Sequence, residues 1–516
     1  MAGRRWWLGL TVICAVAAVI RVGYLLAIRN PIEIAGDPYQ YHYGANLLVD
    51  GKGFIAAFPY FVQGRVVQSA QHPPLFTVVL AIPSLLGFRS FLDHQVWTCV
   101  IGTGTVALVG LVGRRLGGPR AGLIAAGLAG VYPVLWIHDG GVAAETLSLF
   151  VTALTLLAAY RLWDQPSIRT GAELGVASAL AVLARAEALA LLPFMVVPLV
   201  VAARQIQPRR RLAVAGTAVL ATAVVLAPWA AFNSSRFDHP ALVSTGFGLA
   251  MAQGNCESPY YGSTIGYYSF GCIPKLPTGG DETDDDIVLR KAALRYMSSH
   301  WQRVPFVVAA RVGRTFGLYA PYQQIRIDAY VELRNKNVGR VGLDMYYVLC
   351  LLSVPGAVLL RRRKVPISPM LALVATVVLA VAVTFGQTRY RVSADLVPVL
   401  LTAVAVDEAL RRWRTRRASA GTRRAVVGVV AVRHEESSDD CETGQRSTHH
   451  EQALGQRGDG QAVDGRRRTS PDPTDEQHQV DGQGGSDRCD ARQQAPLEEH
   501  GSHDEGIGTA GATTDR

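Results

Sequence analysis

Long runs of apolar residues constrain this chain more than any other feature of its sequence. Most are close to the roughly 20 residues that an α-helix needs to cross the hydrocarbon core of a bilayer. The runs are 6–28, 96–113, 119–137, 140–162, 171–203, 212–232, 341–360, 366–385 and 392–410. Because run 171–203 is long enough for two tightly paired helices, the sequence predicts an all-α polytopic membrane protein with about ten transmembrane helices, in a range of roughly 9 to 13.

The basic residues cluster at the ends of these runs. The formal net charge is +10, but the cations are concentrated in four short segments, 114–120, 204–211, 361–364 and 411–417. Cytoplasmic loops of membrane proteins carry such an excess of Lys and Arg. The pattern favours a membrane over a nucleic-acid partner, and it predicts cytoplasmic termini with the loops 29–95 and 233–340 outside.

Two apolar segments need separate interpretation. Arg4 and Arg5 precede the first run as they would in a signal peptide, but the run is too long and lacks a convincing cleavage site, so an uncleaved first span is favoured. The segment 73–88 is short and interrupted by proline. If it crossed the bilayer, every later basic cluster would lie outside, so the sequence predicts an interfacial or re-entrant helix there.

The composition changes after residue 410. Residues 411–516 contain one aromatic residue, Trp413, and few large apolar side chains, so they are predicted to form a cytoplasmic, disordered tail. The histidines and two cysteines of this tail match no metal-ligand spacing. A shifted reading frame is an alternative explanation of this composition.

Two cysteines stand apart from the others. Cys256 and Cys272 enclose a Gly-, Ser- and Tyr-rich stretch of the large outer loop. An oxidising compartment allows a disulfide there, and two free thiols are the alternative.

Ionisable residues concentrate at the predicted outer ends of the spans. Charged groups at membrane depth are costly, and this makes them candidates for function. The candidates are Asp37, Asp139, Glu145, Arg185, Glu187, Arg389 and Arg391. Carboxylates at such a boundary can act as a general base, and arginines can bind the phosphate of a lipid-linked donor. A sugar transferase that uses a polyprenyl-phosphate sugar needs both groups.

Structural roles are open for the same residues. Asp37 precedes Pro38 in a pattern typical of turns, and Arg185 with Glu187 is compatible with a surface ion pair of little energy. Three tyrosines, Tyr39, Tyr41 and Tyr43, fit either an interfacial aromatic belt or a platform for a sugar.

The order of several motifs resembles a known superfamily. A first span is followed by "GDPYQYHYGANLLVDGKGF" (36–54), "QHPPLFTVVLAIPSLLG" (71–87), "ETLSLFVTALTLLAAYR" (145–161) and "GQTRYR" (386–391). Over residues 1–410 the chain resembles the GT-C superfamily of integral membrane glycosyltransferases, in the family-39-like branch of protein O-mannosyltransferases and lipid A aminoarabinose transferases. The resemblance implies a GT-C transmembrane module whose first outer loop carries juxtamembrane helices.

The resemblance also implies roles for individual residues. Asp37 corresponds to the catalytic acid of the first outer loop and Glu145 to a second acid, while His72, Arg389 and Arg391 correspond to cations near the donor phosphate. Pro38 stands where many relatives have a second acid. Some relatives use a divalent metal; without that acid no cofactor is favoured here, although a divalent metal stays an alternative.

The implied activity is transfer of a sugar from a polyprenyl-phosphate donor to a glycan, lipid or protein acceptor, at the outer face of a bacterial-type plasma membrane. The alternative is a transporter or flippase of a lipid-linked saccharide. A transporter more often has repeated halves and polar groups at the bilayer midplane. The sequence shows no internal repeat, and its charged residues collect at one face, which favours the enzyme.

Overall fold

The computed structural model describes residues 2–29, 36–202 and 207–417. The chain divides into the units Met1–Val432 and Arg433–Arg516, and only the first contains described residues. The predicted disorder of the tail and its histidines and cysteines therefore lie outside the described part.

The first half of the chain is built from helices of very different lengths. A π-helical turn, Leu25–Arg29, extends the first of them, and a 3₁₀ turn, Ala186–Ala190, precedes the tenth. The helices are α1 (Ala2–Tyr24), α2 (Asp37–Val49), α3 (Ala57–Gln63), α4 (Leu75–Leu85), α5 (Phe91–Gly117), α6 (Pro119–Val131), α7 (Pro133–Trp136), α8 (Ala144–Asp164), α9 (Ile168–Ala184), α10 (Leu191–Ala202) and α11 (Pro208–Ser234).

The second half has five helices of 18 residues or fewer, followed by three apolar ones. They are α12 (Phe247–Gly254), α13 (Glu257–Tyr261), α14 (Glu282–Ser299), α15 (Val304–Thr315), α16 (Pro321–Val331), α17 (Lys336–Arg362), α18 (Ser368–Val383) and a last helix, α19, over 396–417. In the described residues the only β-pairing is one isolated bridge between Ile55 and Gln68.

All ten predicted spans coincide with helices, so the prediction of an all-α polytopic membrane protein is confirmed. Five helices are long and apolar enough to cross a membrane, namely Gly3–Arg29, Phe91–Gly117, Ala144–Asp164, Pro208–Ser234 and Lys336–Arg362. The predicted break within 171–203 is also present, because Arg185 adopts an extended conformation between α9 and the 3₁₀ turn.

Two predicted boundaries are corrected. Residues 140–143 were predicted to begin a span, but Gly140 and Val142 have φ of 76° and 47° and form a turn, so α8 begins at Ala144. Residues 411–417 were assigned to the tail, but they continue α19, where Arg411 and Arg412 pair with Glu408 one turn earlier. Pairs at this spacing stabilise a helix.

Neighbouring helices such as α5 and α6 approach each other closely where small residues meet. A Cβ atom on Gly122 of α6 would lie 2.7 Å from the carbonyl oxygen of Gly110 of α5. Glycine at this contact lets the two backbones touch, as is common between transmembrane helices.

The first region that the sequence predicts to lie outside, 29–95, contains short helices that pack on one another. With 11 residues, α4 is roughly 16 Å long at 1.5 Å per residue, which is too short for a hydrocarbon core of about 30 Å. It packs against α2, as expected for a juxtamembrane helix rather than a span.

The second region that the sequence predicts to lie outside, 233–340, contains α12 to α16. Asp281 caps α14 by accepting hydrogen bonds from the backbone N–H groups of Thr283 and Asp284. Aspartate is a favoured residue at this position. In the same region Cys256 and Cys272 are joined by a disulfide.

Candidate active site

Asp37 is the first residue of α2. Gly36, with φ of 86°, turns the chain into the helix, and Pro38 occupies its first turn. Proline suits this position because its missing N–H is not needed there and its φ is already helical. Pro38, which replaces the second acid of the resemblance, thus has a structural role in starting the helix that carries Asp37.

Arg389 connects the two predicted acids. Its Nη2 lies 2.7 Å from Asp37 Oδ2, and its Nε lies 2.7 Å from Glu145 Oε1. The second contact is an ion pair by distance, although its N–H does not point along the hydrogen-bond direction. Arg389 belongs to a 3₁₀ turn, Thr388–Arg391, so residues far apart in sequence meet at one guanidinium.

A second arginine holds Glu145 from the other side. Arg185 Nη1 lies 2.5 Å from Glu145 Oε1, and Arg185 Nε lies 2.5 Å from Glu187 Oε1. The guanidinium lies over the ring of Tyr390, 5.0 Å from its centroid. Only 3 % of the Glu145 side chain is exposed, so this carboxylate is a buried counter-ion shared by two arginines.

Asp37 is more accessible and has a second partner. Its side chain is 37 % exposed, and His72 Nε2 lies 3.6 Å from its Oδ1. Partial burial raises the pKa of the Asp37 carboxyl, but the charge of Arg389 and then that of His72 outweigh this effect, so the pKa lies below its ordinary value. Asp37 is therefore ionised at neutral pH.

The tyrosines occupy both faces of α2. Tyr41 is buried and packs against His72, with 4.8 Å between ring centroids, while Tyr39 and Tyr43 pair with each other on a different side of the helix. Tyr41 thus supports the site by holding His72, and the other two tyrosines pack around Leu47 and Ile55.

A pocket that opens to solvent adjoins these charges, with about 460 Å³ of empty space including that open solvent. Charged and aromatic groups form part of its wall, and small polar and apolar side chains from α8, α10 and α18 complete it. Its lining includes Glu145, Ser148, Thr152, Arg185, Glu187, Leu191, Thr376, Val377, Ala380, Arg389 and Tyr390. A polar wall beside an apolar one suits an amphipathic ligand.

Two of the candidates do not join this site. Asp139 is buried with Arg21, 2.7 Å away, and accepts a hydrogen bond from Thr146. Arg391 pairs with Asp395 at 3.1 Å and lies over the ring of Tyr346. Residues two apart on a 3₁₀ turn, with three residues per turn, point in different directions, so Arg389 and Arg391 face different surroundings.

The structure also places residues in the site region that the sequence did not indicate. Arg334 and Glu332, from the connection between α16 and α17, form an ion pair. Gln387 donates to Glu332 at 2.5 Å, and Arg334 lies 3.2 Å from His138. The motif "VELRNKN" (331–337) resembles any polar connection, and no pattern in it indicates that Glu332 and Arg334 are largely buried.

Among the described residues, no group of three or more His, Cys, Asp or Glu side chains is arranged to hold a metal ion. The guanidinium of Arg389 lies between the carboxylates of Asp37 and Glu145, where a cation shared by the two acids would have to bind. This donor set does not fit a divalent metal.

One comparison covers part of the site. Residues 71–231 match the model of the dolichyl-phosphate-mannose-protein mannosyltransferase family. Over this segment the predicted resemblance to GT-C membrane glycosyltransferases is confirmed. The segment contains His72, Glu145, Arg185 and Glu187, whereas Asp37 and Arg389 lie outside it.

Solved structures of membrane glycosyltransferases are also similar to the chain. One is the oligosaccharyltransferase AglB of Archaeoglobus fulgidus in complex with an inhibitory peptide and a dolichol-phosphate, with 14% identity, a TM-score of 0.49, and coverage of 81% of this chain and 52% of that one. Another is ArnT of Cupriavidus metallidurans bound to undecaprenyl phosphate, with 16% identity, a TM-score of 0.37, and coverage of 78% and 77%. The chain spans about half the length of the oligosaccharyltransferase. No curated protein sequence matches it.

Proposed function

We propose that this chain is a membrane glycosyltransferase that moves a sugar from a polyprenyl-phosphate donor to an acceptor. The observation that carries the proposal is the position of Arg389, which is held at 2.7 Å from both Asp37 and Glu145 at the edge of a cavity. Such a cluster offers a carboxylate to an acceptor and a cation to a leaving phosphate. The match of residues 71–231 to a mannosyltransferase family supports the same activity.

Asp37 is the proposed general base. The acceptor oxygen attacks the anomeric carbon, its proton passes to the Asp37 carboxylate, and the bond between the sugar and the phosphate oxygen breaks. The electron pair of that bond leaves with the lipid phosphate. Because acceptor and leaving group are on opposite sides of the anomeric carbon, the configuration is inverted.

Arg389 and His72 are the proposed partners of the phosphate. Negative charge grows on the leaving phosphate as the bond breaks, and pre-positioned cations stabilise it most in the transition state. Arg389 is 26 % exposed and His72 22 %, so both are accessible to a ligand. Arg391 has no part in this proposal, because its guanidinium is already engaged by Asp395 and Tyr346.

Glu145 and Arg185 support the reacting groups. The buried Glu145 carboxylate is a counter-ion to both Arg389 and Arg185, and it contacts Nε of Arg389 while Asp37 contacts Nη2. The proposed reaction needs no divalent metal, because Arg389 occupies the space between the two acids.

We place the site at the outer face of a bacterial-type plasma membrane, with both termini cytoplasmic. The support is the position of the four basic clusters, which all fall on one side when the ten spans are threaded in order. The acceptor is a glycan, a lipid or a protein.

The proposal is tested with the purified chain in proteoliposomes that contain a polyprenyl-phosphate sugar labelled in the sugar. Acceptors are supplied by an envelope extract, which is added on the side of the membrane that the proposed site faces. We expect the label to leave the lipid fraction and appear in acceptor material, with unlabelled polyprenyl phosphate remaining. Label that crosses the bilayer while still bound to the lipid would instead identify a transporter.

A further inference from the structure

A buried network of charged side chains lies beside the turn that carries Arg389. It consists of Asp328, Glu332, Arg334, Gln387 and Thr388, and we call it the Arg334 network. Arg334 is 10 % exposed, Glu332 17 % and Asp328 7 %. Removing three charges from water is expensive unless they are paired, so a role for this arrangement is expected.

The network is attached directly to the residues that precede Arg389. Gln387 Nε2 donates to Glu332 Oε1 at 2.5 Å, and Thr388 Oγ1 donates to Asp328 Oδ2 at 2.6 Å. Arg334 lies between the two acids, paired with Glu332 and 3.8 Å from Asp328, and its Nη1 is 3.5 Å from Thr388 Oγ1. Gln387 and Thr388 are therefore both held by carboxylates that contact the Arg334 guanidinium, and Asp328 also accepts a hydrogen bond from Gln324 at 2.7 Å.

Arg334 also reaches the loop before α8. Its Nη2 lies 3.2 Å from Nδ1 of His138. Burial, together with the charge of Arg334, lowers the pKa of His138 well below its ordinary value, so the ring is neutral. Since a guanidinium only donates hydrogen bonds, Nδ1 is the acceptor. One side chain thus connects the turn of Arg389 with the loop that leads to Glu145.

The backbone around Arg334 is held in an unusual conformation. Leu333, between Glu332 and Arg334, has φ of 51°, which costs roughly 1 kcal/mol or more in a residue with a Cβ atom. Arg29 donates to the carbonyl oxygen of Glu332 and to that of Ile137. A residue with a strained backbone persists only where its surroundings hold it firmly. Here the positive φ of Leu333 directs the side chains of both Glu332 and Arg334 into the protein.

We propose that Arg334 is a positioning residue that holds Arg389 between Asp37 and Glu145. It does so by fixing the turn 387–389 through Glu332, Asp328 and Thr388, and by tying that turn to His138. The effect of this positioning on sugar transfer rests on the function proposed above, whereas its effect on the turn itself does not.

Arginine rather than lysine is required for this role. The planar guanidinium presents donors in several fixed directions, and Arg334 uses them for two carboxylates, a hydroxyl and an imidazole. A lysine ammonium preserves the charge but cannot reach all four partners from one position.

The test is hydrogen exchange measured by mass spectrometry on the full chain, comparing Arg334→Gln with wild type. The amide of Tyr390 donates to Gln387 and that of Gly386 to Gly266, so their exchange reports the order of this turn. We expect faster exchange in the peptide that contains 386–391 and unchanged exchange in α5 and α11. Unchanged exchange in 386–391 would overturn the proposal, whether or not the chain transfers sugar.

Two further variants separate positioning from general destabilisation. Arg236→Gln removes an arginine that donates to Phe54, Gln68 and Asn233 and contacts nothing in 387–391, so exchange there should stay at the wild-type rate. Thr388→Val removes one link and should give a smaller increase than Arg334→Gln. If Arg236→Gln loosens the turn as much as Arg334→Gln does, Arg334 has no special role.

The consequence for the reaction is measured as sugar transfer by Arg334→Gln and by a further variant, Arg334→Lys. We expect Arg334→Gln to raise KM for the lipid-linked donor and Arg334→Lys to recover only part of the loss. Suppose that wild type transfers sugar, that exchange in 386–391 rises in Arg334→Gln, and that transfer by this variant is unchanged. Arg334 would then hold the turn without any effect on Arg389, and the positioning role would be wrong. Absence of transfer in wild type would count against the proposed function, while the exchange result still decides the structural proposal.

Discussion

The environment of Asp37 sets its strength as a base. While Arg389 is 2.7 Å from the carboxylate, the pKa of Asp37 is held below its ordinary value, and a carboxylate of low pKa accepts a proton weakly. In the proposed reaction, the donor phosphate would compete with Asp37 for the same guanidinium. Binding of the donor is therefore expected to loosen the pair and to make Asp37 a stronger base when the acceptor arrives.

This competition has a measurable pH signature. The pH dependence of kcat/KM reports the free enzyme and that of kcat the enzyme with bound substrate. Because Asp37 must be ionised to act, both fall as the pH drops through its pKa. We expect the acid limb of kcat/KM below about pH 4, the ordinary value of an aspartate, and the acid limb of kcat at higher pH. Coincident limbs would show that Arg389 does not leave Asp37.

The variant His72→Gln tests the effect of the second partner of Asp37 on the same pH dependence. The charge of His72 also lowers the pKa of Asp37, so its removal is expected to move the acid limb of kcat/KM to higher pH without abolishing transfer. A limb that stays in place would remove His72 from the environment of Asp37.

The residues that the sequence indicated were found because charge at membrane depth is conspicuous. Asp37, Glu145, Arg185, Glu187 and Arg389 meet in one cluster. Asp139 and Arg391 carry the same signal but complete buried pairs elsewhere. The position of a residue in the sequence indicates how deep in the membrane its side chain lies. The direction of the side chain depends on the turn that carries it, and this direction decides which charges meet.

At the scale of elements, the connection between α16 and α17 is the least predictable part of the site. Nothing in residues 332–335 distinguishes them from an exposed loop. Glu332 and Arg334 are largely buried because Leu333 takes a left-handed conformation and because partners from the π-helical turn that ends at Arg29, the 138 loop and the 388 turn converge on them. Contacts among segments so distant in sequence are not encoded locally.

Substitutions of Leu333 test whether this conformation matters. Its side chain is 43 % exposed, so Leu333→Gly loses little packing and relieves the positive φ, and we expect near wild-type transfer and thermal stability. Leu333→Pro forces φ to about −65° and should turn Glu332 and Arg334 away from the 387–389 turn. We expect it to lower transfer strongly, and equal activity of the two variants would contradict the importance of the turn.

The spans themselves were predictable because a bilayer leaves few alternatives. An apolar segment near 20 residues must satisfy its own backbone hydrogen bonds, so it forms a helix. The corrections occur where local geometry overrides apolar composition, as at 140–143, where Gly140 and Val142 break the helix before Glu145. This break places Glu145 in the first turn of α8, beside Arg185.

At the scale of the whole molecule, the proposed orientation in the membrane rests on the distribution of charge alone. Labelling with a membrane-impermeant maleimide checks it in a variant that keeps the Cys256–Cys272 disulfide and has serine at the remaining cysteines. We expect Lys275→Cys, in the large outer loop, to react from outside intact cells, and Arg210→Cys to react only after permeabilisation. The reverse pattern would invert the topology and place the site in the cytoplasm.

The two residues on which the proposed mechanism depends, Asp37 and Arg389, come from separate parts of the molecule. Five described helices are long and apolar enough to cross a membrane, while Asp37 is supplied by a short helix outside them and Arg389 by a turn just before the last described helix. The most direct measurement is sugar transfer from the labelled lipid-linked donor by Asp37→Asn, compared with Asp50→Asn. Asp50 follows the end of the same helix and pairs only with Arg89 among the described ion pairs. We expect Asp37→Asn to reduce kcat by roughly 10²- to 10⁴-fold, the usual contribution of a general base, and Asp50→Asn to transfer at the wild-type rate. Wild-type transfer by Asp37→Asn would remove Asp37 from the reaction and contradict the proposed mechanism.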